Sequence, residues 1–138
     1  MAYWLMKSEP DEFSWESLWA RGSTESIWDG VRNHQAAGFL RAMQAGHEAF
    51  FYHTGSERRI VGIMQVTRAA FPDPTDASGR FVSVGVRALR PLAVPVPLAL
   101  LRADPAFTDC PLVRQPRLSV MPITPAHWAG ILGHADAS

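Results

Sequence analysis

Apolar residues recur along this chain at two spacings, alternate positions that suit strands and three-and-four steps that suit helices, and the switches fall at proline, glycine and small polar residues. Tyr3-Trp4-Leu5-Met6-Lys7 reads as a short strand stopped by Ser8-Glu9-Pro10. Ser14 then stands where a helix N-cap belongs, with Trp15, Leu18 and Trp19 on one face and Gly22 as terminator. A turn at Trp28-Asp29-Gly30 leads to Asn33, which can cap a second helix whose Ala36, Phe39, Leu40 and Met43 form a buried stripe ending before Gly46.

The next stretch is strand-like. Ala49 to Thr54 and Arg59 to Val66, joined by Gly55-Ser56-Glu57, predict a hairpin, and Phe81 to Val86 predicts a third core strand after a loop rich in Pro, Asp and Gly. Gly62 and Gly85 inside these runs suggest bulges or tight curvature. Leu92 to Pro97 alternates proline with apolar residues, which suits only an edge strand or an extended connection. Leu98 to Arg102 is expected to form a helical turn or two, Arg117 to Val120 a short strand, and Thr124-Pro125 to open a last helix over Ala126 to Leu132, closed by Gly133. The expected fold is α+β: a small curved sheet of five or six strands with short helices on its rim.

Composition narrows this picture. The 138 residues suit one domain, and 47% apolar against 19% charged residues excludes a disordered tail. A lone cysteine, Cys110, precludes an internal disulfide, no secretory leader is visible at the start, and no apolar run approaches a membrane span. The expected location is the cytoplasm of a bacterium or the nucleus of a eukaryote.

Thirteen basic and thirteen acidic residues sum to zero, which argues against a sequence-independent grip on many phosphates. The sum hides an asymmetry, because residues 1–30 hold two basic and six acidic groups and the remainder eleven and seven. Twelve of the thirteen basic residues are arginine, the side chain suited to bidentate phosphate or base contacts, although a GC-rich genome produces the same bias.

No HExxH, CxxC or glycine-rich phosphate loop is present, and Cys110 has no histidine near it in sequence. Residues of recognition type crowd one place instead. Ser26 to Gln35 gathers an indole, a guanidinium, an amide and an imidazole around one Asp-Gly turn. Trp28 can either wall a pocket and stack on a planar ligand or plug the core. Asn33 can cap its helix through its side-chain oxygen and still offer its amide NH2 to a base edge. Lys7 and Ser8 end the first strand and can aim a charge and a hydroxyl into a cleft. Arg32 can meet a phosphate. His53 shares one strand face with Phe51, and Arg117 and Ser119 share a face of theirs, so each can serve a pocket or a structural role.

Taken together, Tyr3 to Pro10, Trp28 to Asn33, Phe50 to Thr54, Ile60 to Ile63 and Arg117 to Val120 resemble the EVE domain in order and separation, from near Ala2 to near Ile131. The resemblance implies a single domain over residues 1–138 with a PUA-like fold, a small curved β-barrel related to YTH and ASCH domains. It also implies a non-enzymatic partner of DNA or RNA that reads a modified base, a modified cytosine in DNA or a modified position in RNA or tRNA, flipped into an aromatic-walled pocket. Trp28, Ser8 and Asn33 then belong to the pocket, and Lys7, Arg32, His53, Arg117 and Ser119 to its rim or to phosphates, with no catalytic residue, metal or cofactor. Two positions depart from the family pattern: Ala37-Gly38 stand where Arg-Asn is usual, and His47 where an acid is usual. An enzyme acting on a nucleotide or RNA, or a protein-interaction module with a vestigial pocket, are the competing readings.

Overall fold

The structure, a computed structural model, describes residues 2–136. Six strands form one mixed sheet in the order β2-β5-β4-β3-β1-β6. They are β1 (Tyr3–Ser8), β2 (Ser26–Trp28), β3 (Glu48–His53), β4 (Arg59–Pro72), β5 (Val82–Pro97) and β6 (Val120–Ile123). Five short α-helices accompany them: α1 (Trp15–Ala20), α2 (His34–Ala42), α3 (Leu98–Arg102), α4 (Pro111–Arg114) and α5 (Pro125–Asp136), with a 3-10 turn at Pro105–Phe107.

β1 holds the architecture together. It pairs parallel with β3 and antiparallel with β6, and the parallel partner requires the long crossover that α1, β2 and α2 supply. A strand with neighbours on both sides and cover on both faces must be apolar throughout its middle, and Trp4, Leu5 and Met6 are all buried. β3 is buried from Ala49 to His53 for the same reason. Over them, the Trp128 ring of α5 lies between Tyr3 at 4.2 Å and Phe50 at 3.9 Å. Each such side chain taken fully from water stabilises the fold by about 1.5–3 kcal/mol.

The β3–β4 hairpin is as expected, and the long β4–β5 pair that follows bends through repeated register shifts. One of them falls at Gly62, where a Cβ would lie 2.5 Å from the Trp15 ring, so the close approach of α1 demands glycine. β2 pairs with β5 only at Val84, Gly85 and Val86. Beyond that point β5 has a free edge, which is why the prolines at 91, 95 and 97 can sit in a strand that still pairs with β4.

Three expectations need correction. Ser26–Trp28 is a strand and not only the approach to a turn. Arg117 lies in a turn and Ser119 in a bend, ahead of β6, because the register of β6 on β1 begins at Val120 opposite Met6. Gly133 does not end the last helix, which runs to Asp136 with Ala135 buried. Its start is as expected, with Thr124 Oγ1 accepting from the His127 N–H at 3.1 Å.

Candidate nucleic-acid interface

The C-terminal end of β1 meets the Asp-Gly turn, the start of α2 and the loop before β6. Between them opens a cleft of about 510 Å³, within the range of small-ligand sites, with Lys7, Ser8, Trp28, Arg32, Asn33 and Ser119 in its lining. The sequence therefore placed six of its eight candidates around one hollow.

Trp28 combines its two readings. The residue is only 6% exposed, and its ring packs edge-on against Phe51 at 5.3 Å and Phe13 at 6.1 Å, yet it lines the cleft. It is a fixed wall more than a free stacking platform. Ser8 Oγ donates to the Phe13 carbonyl at 2.6 Å and so ties the loop after β1 to that wall. Asn33 Oδ1 accepts from the Ala36 N–H at 2.9 Å, which is the cap expected for α2 and leaves the Nδ2 hydrogens without a protein partner among the described residues.

The turn itself is held from a residue that sequence reading passed over. Asp73, buried in the loop after β4, accepts from the Gly30 N–H at 2.8 Å and from Arg32 Nη1 at 2.9 Å. Thr75 donates to the same carboxylate through both its N–H and its hydroxyl, and accepts from Arg32 Nη2. Burial opposes ionisation of Asp73, but the bonds from Thr75, Arg32 and Gly30 outweigh it and hold the carboxyl down at about 2. Gly30 sits at φ 80°, a left-handed conformation that suits glycine, so the turn presents its backbone without strain. The signal was present in Pro72-Asp73-Pro74-Thr75, an Asp two residues before a hydroxyl as in an Asx turn, but nothing local says which distant group such an Asp will hold.

Arg32 is accordingly a rim residue whose charge is already met by Asp73, with Phe81 beneath it at 5.4 Å. His53 lies outside the lining of the cleft. It is buried, its Nε2 accepts from the Trp15 N–H at 3.0 Å, and its Nδ1 faces Glu57 at 2.9 Å, so it anchors α1 to β3. The His53 bond, followed by Arg59, draws the Glu57 carboxyl below its ordinary range.

Arg117 opens on two neighbouring hollows instead. One, of about 460 Å³, shares Lys7, Glu9 and Ser119 with the first cleft and adds Tyr52, Arg58 and Arg102, two arginines that the sequence motifs did not single out. The other is a shallower surface of about 300 Å³ between Asn33 and Arg117. Lys7 Nζ donates to the Pro116 carbonyl at 2.9 Å and stands 5.3 Å from the Tyr52 ring, and burial, then Arg102, lowers its proton affinity.

The unusual positions in α2 and after Gly46 also find their places. Ala37 is buried and Gly38 exposed with open space at its Cβ position, so neither puts a cation beside Asn33. His47 Nδ1 accepts from Trp4 Nε1 at 3.1 Å near the opposite end of β1, remote from the cleft in the sheet register. Cys110 is buried, and burial pushes its thiol up, the reverse of what a nucleophile requires. No helix among the described residues is long and apolar enough to cross a membrane.

A family model for the EVE domain matches residues 2–134. The chain belongs to the EVE family. As an EVE domain it is 33% identical to human thymocyte nuclear protein 1 over 95% of this chain and 72% of that protein. An NMR structure of Rpa0253 from Rhodopseudomonas palustris shares 45% identity and superposes with a TM-score of 0.92, covering 98% of this chain and 93% of that one. A crystal structure of human THYN1 in complex with DNA containing 5-methylcytosine gives 32% identity and a TM-score of 0.92, over 100% and 99% of the two chains. A YTH domain of Zygosaccharomyces rouxii in complex with N6-methyladenosine RNA is like this EVE domain in fold alone, at 16% identity and a TM-score of 0.63, covering 99% and 85%.

Proposed function

We propose that this EVE domain binds nucleic acid by taking one modified base, turned out of its strand, into the cleft walled by Trp28. The observation that carries the reading is the convergence of unlike chemistry on one hollow of base-holding size: an indole wall, the unengaged Asn33 NH2 and carboxylates of Glu12 and Asp29 in the lining. A base offers a flat face and hydrogen-bonding edges, and a carboxylate can accept from an exocyclic amine such as that of cytosine. The complex of human THYN1 with 5-methylcytosine DNA supports a modified cytosine as the first candidate. Ser8 acts indirectly, by fixing the loop that carries Phe13 against the indole.

The domain binds and does not transform its ligand. Among the described residues no hydroxyl of the cleft lining is hydrogen-bonded to one of its carboxylates, and the buried Cys110 thiol stands apart from that lining. The closed PUA-like barrel is part of the same proposal, supported by the register shifts that bend β4 on β5.

Fluorescence titration with short DNA and RNA oligonucleotides, each carrying 5-methylcytosine or N6-methyladenosine beside its unmodified twin, tests the reading. Preference for one modified member is expected, with the base recovered unchanged. Equal affinity for every pair would overturn it.

A further inference from the structure

The second cleft has a different character from the first. Its rim carries Lys7 from β1, Arg58 from the β3–β4 turn, Arg102 from the end of α3 and Arg117 from the loop before β6, against one carboxylate, Glu9. Among the described residues Arg58, Arg102 and Arg117 make no ion pair or side-chain hydrogen bond, whereas Arg32, Arg59 and Arg114 each face a carboxylate. Like charges drawn from four separate elements repel one another, and among the described residues of this lining Glu9 is the single carboxylate set against them. Their nearness is felt by the groups between them: Arg102 weakens the hold of Lys7 on its proton, and Arg58 and Arg102 both work against the burial that raises the Tyr52 hydroxyl.

Arg58 is held in place with some strain. It is the one non-glycine residue at positive φ among those described, at 45°, and its carbonyl accepts from the Leu98 N–H at 2.9 Å, which fixes the turn against the start of α3. Glu9, the opposing charge, is turned toward the β3–β4 turn, where it accepts from Thr54 Oγ1 at 3.3 Å.

The two clefts share a wall of Lys7, Glu9 and Ser119. The first is lined by the carboxylates of Glu9, Glu12 and Asp29, and of its two cations Arg32 is already paired. It therefore suits a base and repels a phosphate. We propose that the second cleft seats the phosphates of the strand whose base enters the first, with Lys7, Arg58, Arg102 and Arg117 as the phosphate-binding residues and the Tyr52 ring beneath Lys7. This rests on the reading of the first cleft. Arginine forks match phosphodiester oxygens, and an unpaired cluster beside a base pocket gives the backbone a way out that the acidic lining denies it.

The probe is an abasic phosphodiester oligomer, which has a backbone and no bases, titrated alongside the modified and unmodified oligonucleotides. The exposed pair Arg58→Gln/Arg102→Gln should weaken all three by one common factor, roughly 30-fold near 0.1 M salt, and reduce the slope of log affinity against log salt by about 1.4–1.8. Preference for the modified base should survive. A charge-matched control, Arg41→Gln/Arg114→Gln, lies outside both clefts and should change little. Unchanged abasic affinity and slope in the first pair, or an equal loss in the control, would overturn the inference. If no modified base is preferred while the abasic oligomer still depends on Arg58 and Arg102, the failure lies with the first cleft and not the second.

Discussion

The two clefts at the end of β1 are neighbours of similar volume, about 510 and 460 Å³, built on opposite electrostatic plans. In the first, the arginine that most resembles a ligand contact is spent on structure, since Arg32 closes onto Asp73 and locks the Asp-Gly turn. In the second, arginines remain unpaired around a shared wall. On the proposed reading, the difference gives a chain of zero net charge a way to hold a polyanion: charge is withheld where the base would enter and gathered beside it.

The sharpest way to break that contrast is at Trp28. Because its indole is mostly buried against Phe13 and Phe51, Trp28→Ala should lose about 3–5 kcal/mol of folding stability, seen in urea melts, together with selective binding. Trp28→Phe keeps a ring and should stay folded while its preference for the modified base falls. If Trp28→Phe retains the full preference, the indole is only a core plug.

Asp73→Asn should come next. It weakens the bonds that hold Gly30 and Arg32, at about 1.5–3 kcal/mol for charged hydrogen bonds. The folded Asp73 carboxyl, held at about 2 against an ordinary 3.8, contributes stability that is fully present above about pH 4 and lost as the pH falls toward 2. Acid unfolding of the Asp73→Asn variant should lack that component, and an unchanged acid transition would contradict the role given to this residue.

Asn33→Ala removes the α2 cap and should cost about 1 kcal/mol of stability. Its effect on binding should be a lower preference for the modified base at an unaltered salt slope. The smallest effect is expected for Glu9→Gln, which removes the carboxylate that both clefts share and should tighten binding a few-fold to abasic and base-bearing oligomers alike. Weaker binding to the abasic oligomer would mean that Glu9 positions the rim through Thr54 and does not merely oppose the phosphates.

Elements with a strong local period were legible in the sequence: β1, the caps at Ser14 and Asn33, the β3–β4 hairpin and the edge character of the proline-rich part of β5. The grouping of Ser8, Trp28 and Asn33 came with the resemblance to the EVE domain, since residue type alone left each of them between a pocket and a structural role; the structure brings all three to the first cleft. The second cleft was not legible. Arg58 and Arg102 sit in an ordinary turn and at the end of a five-residue helix, and only the meeting of α3 with the hairpin brings them to Lys7. The place of His53 was equally hidden, since its partner Trp15 lies 38 positions away and bonds through the backbone. Asp73 and Arg32 are 41 positions apart, and no periodicity reports such a pair.

The central claim is that one cleft selects the base and the other holds the backbone. Titrating one modified oligonucleotide and its unmodified twin over a series of salt concentrations, against Asn33→Ala and against Arg58→Gln/Arg102→Gln, separates the two directly. The account predicts that the first variant lowers the affinity ratio and keeps the salt slope, while the second lowers the slope and keeps the ratio. If both variants move ratio and slope together, the two clefts do not divide the work, and the account is contradicted.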